Sequence, residues 1–350
     1  MNFNFKNTFF LSVVAFTIII IFLFDPIIFG GKLFGSPDSL SPRSVAMALN
    51  KASESIGGYP LWQPWVFSGM PTAESFSYLS KLYFPEYIFK IFSFSGSTIQ
   101  FIHLIFSGLG CMVLLRGLLC SRPASFLGAI AYMTTPFMIT MAVYGHGSQL
   151  MTAAYIPWAL WLSIKSWEKP SLINTGSLAL ILGFQLQRAH AQIAYYTWLL
   201  IGLYFLIMLI YSAREKNEKL ILFKKLLLIM IACILGIGIS ALIYIPAVEY
   251  TPFSVRGGSS SGGSDYNYAT GWSFHPFEIL TFFIPSSFGF GGQAYWGYMP
   301  FTDYPNYMGI IILPLALIGI IYKKGIFKWY LLSATLLALF ISFGRHFSLV

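Results

Sequence analysis

Apolar runs too long for a soluble core decide what this chain can become. Stretches of roughly 15 to 22 apolar residues recur along it, each close to the ~20 residues a helix needs to cross a bilayer. About nine qualify: residues 8–29, 98–119, 124–142, 150–164, 172–184, 193–211, 226–245, 307–322 and 329–343. The runs are continuously apolar rather than alternating with period two, which favours helices over a β-barrel. Composition agrees, since charged residues are 9% of the chain where a soluble domain carries about 25%. The expected fold is an all-α integral membrane protein, a polytopic helical bundle in which residues 1–350 form a single transmembrane domain. The first run is too long for the apolar core of a signal peptide and lacks a small-residue cleavage site, so it reads as a retained helix.

Basic residues orient the bundle. With the N-terminus on the cytoplasmic side, the clusters Arg214, Lys216, Lys219, Lys224 and Lys225, and then Lys323, Lys324 and Lys328, fall on short inner segments, as the positive-inside bias requires. The net charge of +9 is therefore a topology signal, and no basic groove argues for a nucleic-acid partner. Cys111, Cys120 and Cys233 lie in or near inner helix ends and imply neither a disulfide framework nor a cysteine metal site. No P-loop and no HExxH motif occurs, so a nucleotide-driven cytoplasmic reaction is not expected.

Two outer loops are long, residues 30–96 and 246–306. A chain that only has to return across the membrane does so in a few residues, so a first loop of domain-like length predicts a surface with a task. It holds Asp38 in Gly35-Ser36-Pro37-Asp38-Ser39, followed by Glu74, and the aromatic run from Tyr59 to Pro71 with Trp62 and Trp65. Ser-Pro-Asp-Ser is also good turn chemistry, and both tryptophans suit either a sugar-binding cleft or an interfacial aromatic belt. Tyr78, Tyr83 and Tyr87 predict an amphipathic helix lying on the membrane. In the second loop the Gly/Ser tract 254–265 buries too little apolar surface to offset its ordering entropy and is expected to be mobile.

Short outer turns carry a second group of candidates: Tyr144-Gly145-His146-Gly147-Ser148-Gln149, and Gln185 to Gln192 with Arg188 and His190. A charge deep in hydrocarbon costs about 2.5 kcal/mol or more, so Arg188 should face protein, water or an anion. Arg188 and His190, with His146 as a weaker third, are candidate ligands of a phosphate at the outer interface. The competing reading has Arg188 snorkelling to lipid headgroups while His190 and His146 merely end turns.

Motif order extends these readings. Pro60-Leu61-Trp62-Gln63-Pro64-Trp65-Val66-Phe67-Ser68-Gly69-Met70-Pro71 is followed by Gly145-His146-Gly147-Ser148-Gln149-Leu150, by Gln187-Arg188-Ala189-His190-Ala191-Gln192, by Tyr295-Trp296-Gly297 and by Tyr304-Pro305-Asn306-Tyr307-Met308-Gly309. In this order they resemble the bacterial YfhO-like membrane proteins over nearly the whole chain. The resemblance implies a GT-C type glycosyltransferase in the bacterial cytoplasmic (inner) membrane, using a polyprenyl-phosphate-linked sugar donor and a cell-envelope polymer or lipid acceptor among membrane lipids. Members of that family are usually longer, so the chain is expected to be an N-terminal fragment. The resemblance gives Asp38 the role of catalytic carboxylate, with Glu74 second, and Gln192 joins Trp62 and Trp65 in the substrate cleft. Transfer from a phosphate leaving group needs a carboxylate for the acceptor and positive charge for the phosphate. A divalent cation is compatible with that chemistry, although no spacing declares its ligands. A lipid-linked substrate transporter or flippase is the alternative: it would need the polar groove but not the carboxylate.

Overall fold

The computed structural model describes residues 3–72, 82–214, 219–254, 257, 266–302 and 305–347. Among these the chain is overwhelmingly helical, and paired strands amount to one short hairpin, β1 (Trp62–Gln63) against β2 (Met70–Pro71). In chain order the α-helices are α1 (Phe3–Ile28), α2 (Pro37–Ile56), α3 (Pro85–Ile91), α4 (Gly96–Gly117), α5 (Arg122–Met133), α6 (Pro136–Val143) and α7 (Gly147–Ala153). They continue with α8 (Ile156–Glu168), α9 (Leu172–Gln187), α10 (Ala191–Arg214), α11 (Lys219–Tyr250), α12 (Tyr266–Ala269), α13 (Ile312–Tyr322) and α14 (Ile326–Phe343).

Six helical segments among the described residues are long and apolar enough to cross a membrane: Asn7–Ile28, Gly96–Gly117, Arg122–Val143, Ala191–Ser212, Lys219–Phe253 and Ile326–His346. That makes this an all-α membrane protein, with fewer full-length spans than the nine expected. The other three runs are shorter as helices. The run 150–164 is divided where α7 ends at Ala153 and α8 begins at Ile156, with Pro157 in its first turn, a position where proline costs no helical hydrogen bond. At 1.5 Å per residue, the 16 residues of α9 and the 11 of α13 reach about 24 and 17 Å, short of the ~30 Å hydrocarbon core.

The first long loop contains a helix that hydropathy did not reveal. Ser36 caps α2, its Oγ accepting the Ser39 N–H at 3.2 Å; Pro37 opens the helix and Gly57 closes it in the left-handed conformation. Ser-Pro-Asp-Ser is thus a helix start rather than a free turn. Helix α3 carries exposed Tyr87, Ile88 and Ile91, but Tyr83 just before it is buried. Glu74, Tyr78, Asp265, Asp303 and most of the Gly/Ser tract lie outside the described residues.

Contacts divide the chain into two units. One comprises Met1–Thr134, Met141–Ile201 and Glu215–Tyr250. Its most extensive helix contact is α9 with α11, where a Cβ on Gly183 would meet the Ile239 side chain at 2.7 Å and one on Gly236 would meet Leu182 at 3.1 Å. Small residues let the backbones approach, as in membrane helix pairs generally. Leu104, Met133, Leu150, Leu178 and Leu182 fill the interior, while Phe22 of α1 and Phe223, Ile234 and Leu242 of α11 stay exposed, as lipid-facing side chains must.

The other unit comprises Thr135–Thr140, Gly202–Arg214 and Thr251–Val350. In it Phe274 stacks on Phe282 and Phe343 at 5.4 and 6.4 Å, and its N–H donates to the Ser342 carbonyl at 2.8 Å. Tyr204 packs edge-on against Tyr330 at 5.5 Å.

Candidate functional site

Two polar clusters form in the first unit. The open one pairs Asp38 with His146, with His190 in electrostatic reach of His146. Asp38 stands in the first turn of α2, where the helix dipole favours a negative charge. Gly145 adopts φ +91°, and a Cβ on it would lie 2.4 Å from the Asp38 carbonyl carbon and the Ser39 nitrogen. Only glycine lets that turn come so close to the start of α2. The next residue, His146, thereby brings Nε2 to 3.6 Å from Asp38 Oδ2, with the Asp38 side chain 64% exposed and that of His146 25%. The carboxylate is open to a ligand while the imidazole is partly covered.

His190 precedes α10, and its Nδ1 accepts the Ile193 N–H at 3.3 Å, which requires a lone pair on that nitrogen. Burial lowers its pKa from the ordinary histidine value, and the charge of nearby His146 lowers it further. His190 is therefore a neutral ring at pH 7, with Nε2 as its N–H donor.

The second cluster is buried. Arg188 follows α9, and Ala189 then takes φ +54°, a left-handed conformation uncommon for a residue with a Cβ. Arg188 is 7% exposed, and its guanidinium carbon lies 4.4 Å from the centre of the Tyr83 ring. The Tyr83 hydroxyl is 2.9 Å from His103 Nε2 and 2.5 Å from the Tyr155 hydroxyl, while His103 Nδ1 is 2.7 Å from the Ile99 carbonyl. A carbonyl only accepts, so Nδ1 carries the ring proton. In a neutral ring Nε2 then accepts from Tyr83, and Tyr83 accepts from Tyr155. Gln187 ties this region together, accepting the Phe84 N–H at 3.1 Å and donating to the Ile239 carbonyl at 2.9 Å.

Arg188 is expensive where it stands. Its Nε is buried without a hydrogen-bond partner, and among the described residues the guanidinium donates no hydrogen bond. A desolvated cation–π contact returns about 2 kcal/mol, less than the several kcal/mol that burying an ion costs. Burial accordingly lowers the Arg188 pKa, opposed by Tyr83, Glu86 and Tyr155. Burial also pushes the Tyr83 hydroxyl up to about 12, against the hydrogen bond from Tyr155 and the charge of Arg188. A side chain held at such a cost, with its Nε–H unpaired among the described residues, is the complement of an anion.

The candidates thus divide. Asp38 and His146 come together, with His190 close enough to feel the His146 charge; Arg188 joins Tyr83, Tyr155 and His103, and it does not snorkel outward. Trp62 and Trp65 are exposed, and Trp62 lies over Gly69, where a Cβ would meet its indole at 2.5 Å. Gln192 Nε2 donates to the Tyr196 hydroxyl at 2.9 Å along its own helix. None of these three side chains hydrogen-bonds to either cluster. Among the described residues no three His, Cys, Asp or Glu side chains group as metal ligands. Sequence reasoning passed over His103, whose signal was a histidine inside an apolar span. The chain matches no protein-family model, no curated protein and no solved structure, so any functional reading rests on its residues and geometry.

Proposed function

We propose that the protein is a membrane glycosyltransferase that moves a sugar from a polyprenyl-phosphate donor to a hydroxyl of a cell-envelope acceptor. The observation that supports this is the Asp38–His146 pair, 3.6 Å apart with the carboxylate exposed. In this reading Asp38 takes the proton of the acceptor hydroxyl as that oxygen bonds to the sugar C1. The bond from C1 to the phosphate oxygen breaks and the phosphate leaves with the electron pair. The His146 ring beside Asp38 and the Nε2–H of His190 are the N–H donors offered to the departing charge. The leaving phosphate is already a stable anion, so no general acid is needed, unlike glycoside hydrolysis. Arg188, whose guanidinium donates no hydrogen bond among the described residues, is suited to a second phosphate contact. The YfhO-like order of motifs agrees with this chemistry and implies the outer face of a bacterial cytoplasmic membrane; the distribution of Lys and Arg supports an N-terminus inside.

The test is a reconstitution. Vesicles holding the full chain, supplied with labelled polyprenyl-phosphate hexose and a cell-envelope fraction, are expected to form labelled glycosylated product. Passage of intact labelled donor between leaflets with no product would instead establish the flippase reading.

A further inference from the structure

Glycines flank His146, and each lets a different neighbour come close. Gly145 admits the start of α2 and with it Asp38; Gly147, the buried first residue of α7, admits Gln100. A Cβ on Gly147 would meet Gln100 Cδ at 3.0 Å and Nε2 closer still, so the Gln100 amide rests directly on that backbone. Gln100 belongs to the start of α4, which Ser95 caps by accepting the Thr98 N–H at 3.1 Å, and α4 packs on α7. Yet Gln100 Oε1 is buried and, among the described residues, has no hydrogen-bond partner. A buried acceptor without a donor is costly, and an apolar side chain of the same length would rest on Gly147 without that cost. Packing explains where this side chain lies but not why it is an amide.

The orphan atom is an acceptor, and that selects the ligand. A glutamine amide offers an oxygen and an NH₂ group, and its last torsion is broad, so it can present either to an incoming group. A phosphate diester only accepts hydrogen bonds and leaves Oε1 unpaired. A cation engages the oxygen alone and leaves the NH₂ idle. Neighbouring hydroxyls of a sugar ring do both, one donating to the oxygen while the next accepts from the nitrogen. In the reaction proposed above, C1 of the hexose lies between the Asp38 carboxylate and the imidazole donors, so the hydroxyls nearest the His146 turn are those of the hexose itself.

We infer that Gln100 is a specificity-determining residue of the Asp38–His146 site, its amide binding hydroxyls of the hexose that is transferred. The inference rests on the transferase reading, and its test keeps the two apart. Vesicles holding the full chain would be assayed with labelled polyprenyl-phosphate hexose and acceptor varied separately, for the parent and for Gln100→Met, which keeps length and packing but removes the amide. The donor KM is expected to rise about tenfold, the scale of a lost hydrogen bond to substrate, with kcat within about threefold of the parent, the mark of binding lost equally before and during reaction. Thermal unfolding should stay the same or rise, because the orphan oxygen is gone. A donor lacking one ring hydroxyl should bind the parent about tenfold more weakly and Gln100→Met no worse than the intact donor does, since coupled partners are not lost twice. Gly147→Ala, whose Cβ takes the space of the amide, should raise the donor KM in the same way and decides the matter even if Gln100→Met does not fold. An unchanged donor KM, or a rise confined to the acceptor KM, overturns the inference, whatever happens to stability. If the parent forms no glycosylated product, the transferase reading falls on its own. Equilibrium binding of the labelled donor then decides for Gln100: weakening of about tenfold in Gln100→Met upholds its contact with the hexose, and equal affinity overturns it.

Discussion

The open and the buried cluster of the first unit flank a single residue, Ala189, and they answer opposite demands. Asp38, His146 and His190 stand on helix starts and a glycine turn, where a carboxylate stays hydrated and a ligand can reach it. Arg188, Tyr83, Tyr155 and His103 are withdrawn from solvent and joined ring to ring, so a change there is felt first as stability. The difference teaches that charge alone does not mark a reactive group. Arg188 and His190 looked equivalent on one short turn, and a positive φ between them gave them different surroundings.

Removing basicity at the open cluster should have the largest effect. Asp38→Asn is expected to lower transfer by about 10²- to 10⁴-fold while leaving thermal unfolding unchanged, since the side chain is mostly exposed. Near-normal transfer by this variant would break the comparison and take Asp38 out of the chemistry. Tyr83→Phe should do the reverse: it strands the hydroxyl of Tyr155 and Nε2 of His103, at about 1–3 kcal/mol of stability, with transfer per folded molecule nearly unchanged. Equal losses of rate in both variants would mean that the two clusters act as one.

Gly145→Ala comes next. The positive φ and the backbone 2.4 Å from the added Cβ should cost about 1–3 kcal/mol and widen the Asp38–His146 gap, so unfolding and rate should fall together. A variant as stable as the parent would show that the turn adjusts freely.

Arg188→Met keeps the length and apolar packing but removes the buried charge. Stability should stay within about 1 kcal/mol of the parent or rise, as when buried ions are replaced by apolar residues, while the affinity for lipid-linked sugar phosphate drops about tenfold, ~1.4 kcal/mol. A sharp loss of stability with donor affinity intact would make Arg188 purely structural.

The smallest effect concerns pH. His190 has a folded pKa below its ordinary 6.5, so the unfolded chain takes up that proton first as pH falls. Its contribution to stability is complete above pH 6.5 and declines as pH drops through that value towards the folded pKa. Protonation also removes the lone pair that accepts the Ile193 N–H. Unfolding followed between pH 7.5 and 5 should show a slope that His190→Gln reduces; an unchanged slope would assign the effect to another group.

The membrane helices were legible because an apolar run is a local property. Residues 98–119 correspond to α4 and 193–211 to α10 within a few positions, and 226–245 forms the middle of α11. Helix α2 was missed because it is polar and contains Pro42, although Ser36-Pro37 carried an ordinary helix-start signal. Run length also overstated the number of full spans, since Pro157 marks a new helix start inside one expected span. Asp38, His146 and His190 were each legible as polar residues beside apolar spans; their proximity was not, because contact across more than a hundred residues has no local signature.

What the sequence by itself determined is the medium and the secondary structure: lipid needs long apolar segments whose backbone groups bond internally, and both are written in consecutive residues. Only the tertiary structure decided which polar groups meet. Gly145 gains its meaning from the backbone of α2, Arg188 from the ring of Tyr83, and Gln100 from the backbone of Gly147, partners brought near by packing alone. Burial, charge and hydrogen bonding act through space at a few ångströms, so residues far apart in the chain fix the chemistry of each.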